Sequence, residues 1–326
     1  MKEIVNAIRH NEFYKIRKYK YYSILIRDYK AYGKSMSILK IADIHKKGFT
    51  VGDWILLRMT EENYKYFLNS RDYYSIHPIN GWYSDWIDNK LTLKYILNGT
   101  SLSDNMPEYY YLIDETGAVK PLIDCQIEKE QFDTEDIAEL LQKKGVLALK
   151  LSKGSLGRGF YKLEYSPDTR GGYLVNDVEY NLEEFKCFLN GLKDYLVTEY
   201  LRPHTDLAKF SPNTANSLRY VACRVDGKLR LFKSFIRLGT KKSGQVENFN
   251  SGGVLCYIDE SGHFSNGYVI TNFETKSVEL ISKMVDSDLE LTGNIPLWDE
   301  INNCVAKNRS YFSHDEISRL RFCCDL

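Results

Sequence analysis

Over the first 75 or so residues, apolar positions such as Ile4, Ile8, Ile24, Leu25, Ile38, Leu39 and Ile41 recur at mixed three- and four-residue spacing. That spacing predicts helices. The run "FTVGDWILLRMTEENYKYF" (49–67) continues it, with Thr60 and Asn63 at a helix start. The segment "SDWIDNKLTLKYILNGTSLSDNMPEYYYLID" then predicts a helix, an aromatic strand and a glycine-containing turn. An amphipathic helix over 128–144 stops at Gly145.

From residue 146 the period shortens and the chain becomes β-rich. Strands are predicted at 146–151 and 160–165, separated by a loop at 152–159 and closed by the turn "SPDTRGG". The helix "NLEEFKCFLNGL" has Asn181 as its cap and Gly191 as its stop. Then come the strand "YLVTEYL", a linker with Pro203, and two long strands at 217–225 and 229–238 around "DGK". Shorter strands follow at 254–258 and 268–270. The tail predicts a helix over 297–309, another from 313, and the apolar strand "RLRFCCDL". The implied division is a helical N-terminal region (1–75), a connecting region (76–145), a small β-rich unit (146–199) and a C-terminal unit (200–326).

Charge changes the picture at one end only. The formal net charge is zero, yet residues 1–47 carry twelve Lys/Arg against four Asp/Glu, a local excess of +8. A solvated helical face accounts for it; contact with an anionic membrane or an acidic glycan carrier is the sharper reading. The interleaved aromatics would suit nucleic acid as well, but no nucleic-acid motif accompanies them, and no nucleic-acid partner is expected. No apolar run approaches the ~20 residues that cross a bilayer. The start "MKEIVNAIRH" has no secretory pattern, and the seven cysteines form no CxxC pair. A cytoplasmic protein with reduced thiols is expected, at most peripheral to the inner face of the membrane.

The chemistry begins at "LALKLSKGSLGRGFYKLEY" (147–165). A P-loop places its lysine after the glycines and then opens a helix, and a dinucleotide fingerprint also needs a helix there. A kinase loop has its lysine on the following strand, and no HRD or DFG occurs later. What remains is a strand–loop–strand flap with Lys150 ahead of Gly154, Gly157 and Gly159. It is either a plain hairpin or a cradle whose backbone N–H groups and lysine meet phosphate. About fifty residues on, the apolar strand in "YLVTEYL" ends at Glu199, just before an irregular linker, and a carboxylate there can accept from an adenine amino group.

The ordered set "DNKLTLKYIL", "MPEYYYLI", "LALKLSKGSLGRGF", "YLVTEYLRPH", "NSLRYVACRV", "FIRLG", "VENFNSGGVLCYID", "IPLWDEI" and "RFCCDL" resembles the ATP-grasp superfamily. Within it, the chain is similar to the sugar-transfer-associated branch found with capsule and exopolysaccharide enzymes. The resemblance covers about residues 50–326. It implies an α+β ATP-grasp fold: a helical N-terminal region, a small β-rich lid and a C-terminal antiparallel sheet with helices. It also implies ATP and Mg2+, and an ATP-dependent carboxylate–amine ligase acting through an acyl phosphate in polysaccharide or capsule biosynthesis. The partners would be a carboxylate-bearing sugar or amino acid and an amine. A nucleotide- or carrier-binding scaffold without turnover and a sugar phosphotransferase are the alternatives.

Carried over by position, the resemblance places Lys90 and Lys150 on the nucleotide. Ser152, Gly154, Ser155, Gly157 and Gly159 fall in a lid over its phosphates, and Glu199, Tyr200 and Leu201 form an adenine hinge. Asn216, Arg219 and Arg237 would face the γ-phosphate or the acyl phosphate. His204, Asn248, Asn250, Gly252 and Gly253 would line the reacting end. Asp325 matches the family's first metal ligand, whereas the Glu-x-Asn pair expected on a following strand is absent from the sequence. A shortened chain, lost catalysis, or substitution by Glu247 or Asp259 would each explain the difference.

Overall fold

The computed structural model describes residues 17–76, 86, 89–154, 157–169, 171–225, 228–274, 277–307 and 317–322. At the N-terminal end α1 (Arg17–Tyr32), α2 (Ile38–Lys46), α3 (Val51–Leu56) and α4 (Ser70–Ile76) form the helical unit that the spacing predicts. Ser37 and Thr50 cap α2 and α3 by accepting the N–H groups of Lys40 and Asp53. Ile41, Ile44, Phe49, Val51 and Trp54 form its core. The helix start expected at Thr60 is instead a turn followed by a short 3-10 segment, Tyr64–Tyr66. The Thr60 hydroxyl accepts the N–H groups of Glu62 and Asn63, and the Asn63 side chain accepts that of Thr60, which closes the chain on itself.

The next part contains α5 (Lys90–Leu97), β1 (Tyr109–Ile113), β2 (Val119–Pro121), α6 (Thr134–Lys144), β3 (Val146–Leu151), β4 (Tyr161–Tyr165), β5 (Tyr173–Val175), β6 (Val178–Tyr180), α7 (Leu182–Asn190) and β7 (Tyr195–Glu199). Helix α6 begins six residues later than expected, because Asp133 and Asp136 form a reciprocal capping box that fixes the start. Asn181 and Glu184 do the same for α7. The strands form one seven-stranded sheet in the order β2-β1-β7-β3-β4-β5-β6, with every pairing antiparallel. Lid strands and connecting-region strands therefore share a single sheet rather than forming a free-standing hairpin. Helices α6 and α7 cover one face through Ile137, Leu141, Phe185 and Leu189, which pack on Leu147, Leu149 and Leu163.

After a short linker come α8 (Thr205–Ala208), β8 (Leu218–Val225), β9 (Lys228–Leu238), β10 (Val254–Ile258), β11 (His263–Ser265), β12 (Gly267–Asn272), β13 (Ser277–Ile281), β14 (Thr292–Asn294), α9 (Trp298–Lys307) and β15 (Ile317–Phe322). They build an eight-stranded antiparallel sheet whose main path is β13-β12-β10-β9-β8-β15, with β11 and β14 beside β10. Trp298, Ile301 and Val305 of α9 cover Leu218, Tyr220, Ile236, Leu238 and Cys256 on one face. The strand expected at 319 begins already at Ile317, where continuation of a helix from 313 was expected; residues 313–316 lie outside the described ones. The architecture is α+β, with two antiparallel sheets and helices packed on one face of each.

Candidate functional site

In β3, Leu147 and Leu149 point into the helix-covered core. The two-residue period then puts Ala148 and Lys150 on the opposite face. Register extends that face: Val146 lies opposite Glu164, Ala148 opposite both Lys162 and Thr198, and Lys150 opposite Leu196. Lys162 pairs with Glu164 at 2.8 Å and sits 5.5 Å from the Tyr200 ring centre. At the end of this face near Glu199 a cavity of about 440 Å³ opens, with Lys144, Glu164, Thr169 and Arg202 in its lining.

The second sheet has the same division. Leu218, Tyr220, Ile236 and Leu238 face α9, so Ser217, Arg219 and Arg237 face the other way. Arg237 is 7% exposed, and its guanidinium donates to Ser217 Oγ at 2.5 Å and to Glu247 Oε1 at 2.6 Å. Ser217 Oγ also donates to Glu247 Oε1 at 2.6 Å, which closes a buried cluster of three side chains. Arg219 lies half-buried on the same face, opposite Phe235 and Arg321 in register.

Three contacts bring the two faces together. A Cβ built on Gly157 would lie 2.7 Å from Val246 Cγ1, so the β3–β4 loop rests on the β9–β10 segment. The Gln245 amide donates to Asp177 in the β5–β6 turn at 2.9 Å. Tyr200 lies in between: burial raises its phenol pKa, and the charges of Glu164, Arg202, Asp177 and Glu247 all reach it. Its hydroxyl donates to the Asn213 carbonyl at 3.3 Å.

The loop itself is held by its backbone. Ser152 N–H donates to Asp194 O at 2.9 Å, and the Ser152 carbonyl accepts Lys90 N–H at 3.0 Å. The Lys90 ammonium, at the start of α5, donates to the carbonyls of Leu151 and Gly154 at 2.9 and 3.0 Å. Gly157 and Gly159 take φ values of +70° and +66°, the left-handed region that favours glycine. Ser155 lies outside the described residues.

At the strand end, Glu199 and Glu108 lock together. Glu199 N–H donates to Glu108 O at 2.9 Å, and Glu108 N–H donates to Glu199 Oε2 at 3.0 Å. The Tyr110 hydroxyl and Lys144 hold the Glu108 carboxyl below the usual range. One Glu199 carboxylate oxygen thus takes a backbone N–H, and Leu201 follows half-buried in the linker.

Other sequence-predicted residues have different employment. Asn216 is 1% exposed, with φ at +48°. Its amide donates to the carbonyls of Leu207 and Ser211 at 3.0 and 2.7 Å, and its oxygen accepts from Thr214 Oγ1 at 2.8 Å and Gly239 N–H at 3.2 Å. No amide hydrogen is left for a phosphate, so Asn216 braces the approach to β8 instead of facing a ligand. His204 caps α8 by accepting the Asp206 N–H at 3.2 Å. Asn248 caps the 3-10 turn Phe249–Ser251, accepting from Asn250 N–H at 3.0 Å, and Gly252 and Gly253 close that turn with N–H bonds to Phe249 O and Asn248 O. Asn250 is exposed.

Neither substitute metal ligand is placed for the task. Glu247 is engaged with Arg237 and Ser217, and Asp259 closes a turn by accepting from Ser261 and His263. Among the described residues no group of three or more His, Cys, Asp or Glu side chains could hold a metal ion, and Asp325 lies outside them. The described side chains do not fit a magnesium site, and none is assigned. The residues that the sequence did not single out are Ser217, Lys162, Glu164 and Arg202; strand pairing and period place the first three on these faces, and the cavity lining brings in Arg202.

A model of the sugar-transfer associated ATP-grasp family matches residues 69–318. The chain belongs to the sugar-transfer associated ATP-grasp family. Membership implies ATP as the nucleotide and ATP-dependent, ligase-like activity, and it agrees with the two-sheet α+β architecture. The match leaves α1 to α3 outside the ATP-grasp region. No curated protein and no solved structure gives a significant match. No helix among the described residues is long and apolar enough to cross a membrane.

Proposed function

We propose that the protein is an ATP-dependent carboxylate–amine ligase of polysaccharide or capsule biosynthesis, with ATP held between the two sheet faces. The observation that carries this reading is the placement of Lys150 and Lys162 on one sheet face and of Arg219 and Arg237 on the other, with the linker after Glu199 between them, Lys162 and Arg237 being partnered by Glu164 and Glu247. A triphosphate between them would meet Lys150 on one side and Arg219 on the other, with Lys162 and Arg237 behind them.

In this reading Lys150 contacts the α- and β-phosphates, and Ser152, Gly154, Ser155, Gly157 and Gly159 close over them. Lys90 acts through the loop, whose carbonyls it holds, so it is a positioning residue. The second oxygen of Glu199 accepts from the adenine amino group, with Tyr200 and Leu201 beside the ring. Arg219 and Arg237 steady the charge on the transferring phosphoryl group. The γ-phosphoryl group passes to the substrate carboxylate, giving ADP and an acyl phosphate. An amine then attacks the acyl carbon, loses a proton and expels phosphate as the amide forms. His204, Asn248, Asn250, Gly252 and Gly253 lie on the segments that would border the carboxylate.

Hydroxylamine tests the chemistry, because it intercepts an acyl phosphate as a hydroxamate. Incubation of the protein with Mg-ATP, hydroxylamine and a panel of uronic and amino acids should give ADP and hydroxamate with one class of carboxylate. ADP formation indifferent to every carboxylate would count against a ligase. A phosphorylated sugar seen by mass spectrometry would replace it with phosphotransfer, and nucleotide binding without turnover would replace it with a scaffold.

A further inference from the structure

Helix α1 lies outside the matched family region, and among the described residues nothing covers one stripe of its surface. Its inward face is ordinary: Tyr21 and Tyr32 are 3% and 5% exposed. The outward face is not. Tyr22, Ile26 and Tyr29, spaced i, i+4 and i+7 along one stripe, are 55%, 74% and 40% exposed. Just beyond the helix, Ile38 and Leu39 are 66% and 83% exposed. Such an array of large apolar side chains in water marks a contact surface.

Charge identifies the partner. Lys20, Arg27, Lys30 and Lys34 are all exposed; 100° per residue places Arg27 and Lys30 along one flank of the apolar stripe, and Lys34 follows in the turn after the helix. Among the described residues, no ion pair engages Lys20, Lys30 or Lys34. The one acid within α1, Asp28, is turned inward at 4% exposure, where its carboxylate accepts from Val51 N–H at 2.7 Å and pairs with His45 Nε2 at 2.9 Å. The nearby acids Asp43 and Glu61 are taken up by Lys40 and Lys47. The exposed charge of α1 is therefore basic beside an apolar stripe, the pattern of a helix lying in the plane of a lipid surface.

We propose that this face of α1, with Ile38 and Leu39, docks the protein on a membrane rich in anionic lipid. Tyr22, Ile26, Tyr29, Ile38 and Leu39 enter the headgroup boundary, while Lys20, Arg27, Lys30 and Lys34 meet lipid phosphates and carboxylates. The proposal stands independently of the ligase chemistry, since none of these residues borders the two sheet faces.

Flotation of the full chain tests it, with vesicles of phosphatidylcholine alone and of phosphatidylcholine mixed with phosphatidylserine. The protein should float with the mixed vesicles, release as salt is raised, and remain behind with the neutral ones. Each lysine removed should lower partitioning roughly fivefold, so Lys30→Glu with Lys34→Glu should abolish flotation. Ile26→Ser with Leu39→Ser should weaken it at every salt concentration. All four sites are exposed, so far-ultraviolet circular dichroism should be unchanged, and Lys283→Glu, exposed in the C-terminal unit, serves as a control outside the face. Absence of flotation at low salt, equal flotation with neutral vesicles, or variants that float like the wild type would overturn the proposal. Retention by an RNA oligonucleotide with no vesicle binding would assign the face to nucleic acid instead.

Discussion

Asn216 separates what the sequence suggests from what the fold does with it. As an active-site amide its loss would abolish nucleotide chemistry and leave stability alone; as a brace its loss would do the reverse. Asn216→Ala deletes four buried hydrogen bonds and leaves the carbonyls of Leu207 and Ser211 and the N–H of Gly239 to find other partners. At about 1 kcal/mol for each bond and more for any group left unsatisfied, the change costs about 3–5 kcal/mol. The left-handed backbone, φ +48°, which asparagine tolerates and alanine does not, adds about 1 kcal/mol. Asn216→Gly removes the amide but accepts the conformation, so it should be roughly 1 kcal/mol less damaging than alanine. Urea denaturation of all three proteins measures the costs, and ATP titration under conditions where each is folded should give affinities within a few-fold of one another. Wild-type stability in Asn216→Ala together with lost ATP binding would refute the assignment and return the residue to the reacting end.

Other consequences follow from particular contacts. Arg237→Met should cost about 3–5 kcal/mol by leaving the Glu247 carboxylate buried beside Ser217 alone, and adding Glu247→Gln should recover most of it in a denaturant titration. Gly157→Ala adds a Cβ 2.7 Å from Val246 Cγ1 at a φ of +70°, so protease cleavage within the β3–β4 loop should quicken; Val246→Ala should relieve the clash and leave only the conformational cost. Burial pushes the phenols of Tyr109, Tyr110 and Tyr195 up to about 12 from an ordinary value of 10.0. Their contribution to stability is whole below pH 10 and should be lost as pH rises towards 12, and tyrosinate absorbance should show ionisation arriving together with unfolding.

Periodicity made the elements legible because each has one buried face. Lys150 could be read as an isolated cation closing an apolar strand, and Gly145, Asn181 and Gly191 could be read as helix punctuation. Thr60 and Asn63 misled because the side chains that begin a helix also close a turn. Asn216 misled for a similar reason, since an amide beside a strand start serves a ligand or the backbone equally well until its neighbours are known. The Ser217–Arg237–Glu247 cluster, and the sharing of a face by Lys150, Lys162 and Thr198, depend on pairing between strands distant in sequence. A linear pattern carries the period of each strand but not its register. Equally, Asp28 and Asp43 show themselves as buried and as paired only in three dimensions, which is what leaves the exposed charge of α1 basic.

The central claim is that the space between the two sheet faces holds ATP through Lys150. Calorimetric titration of Mg-ATP into the wild type and into Lys150→Ala tests it most directly. The account predicts one ATP per chain for the wild type, with affinity lowered roughly 10- to 100-fold in the variant, the worth of about 1.5–3 kcal/mol for a charge-assisted contact. A wild type that takes up no ATP, or a variant that binds it as tightly as the wild type, would contradict it.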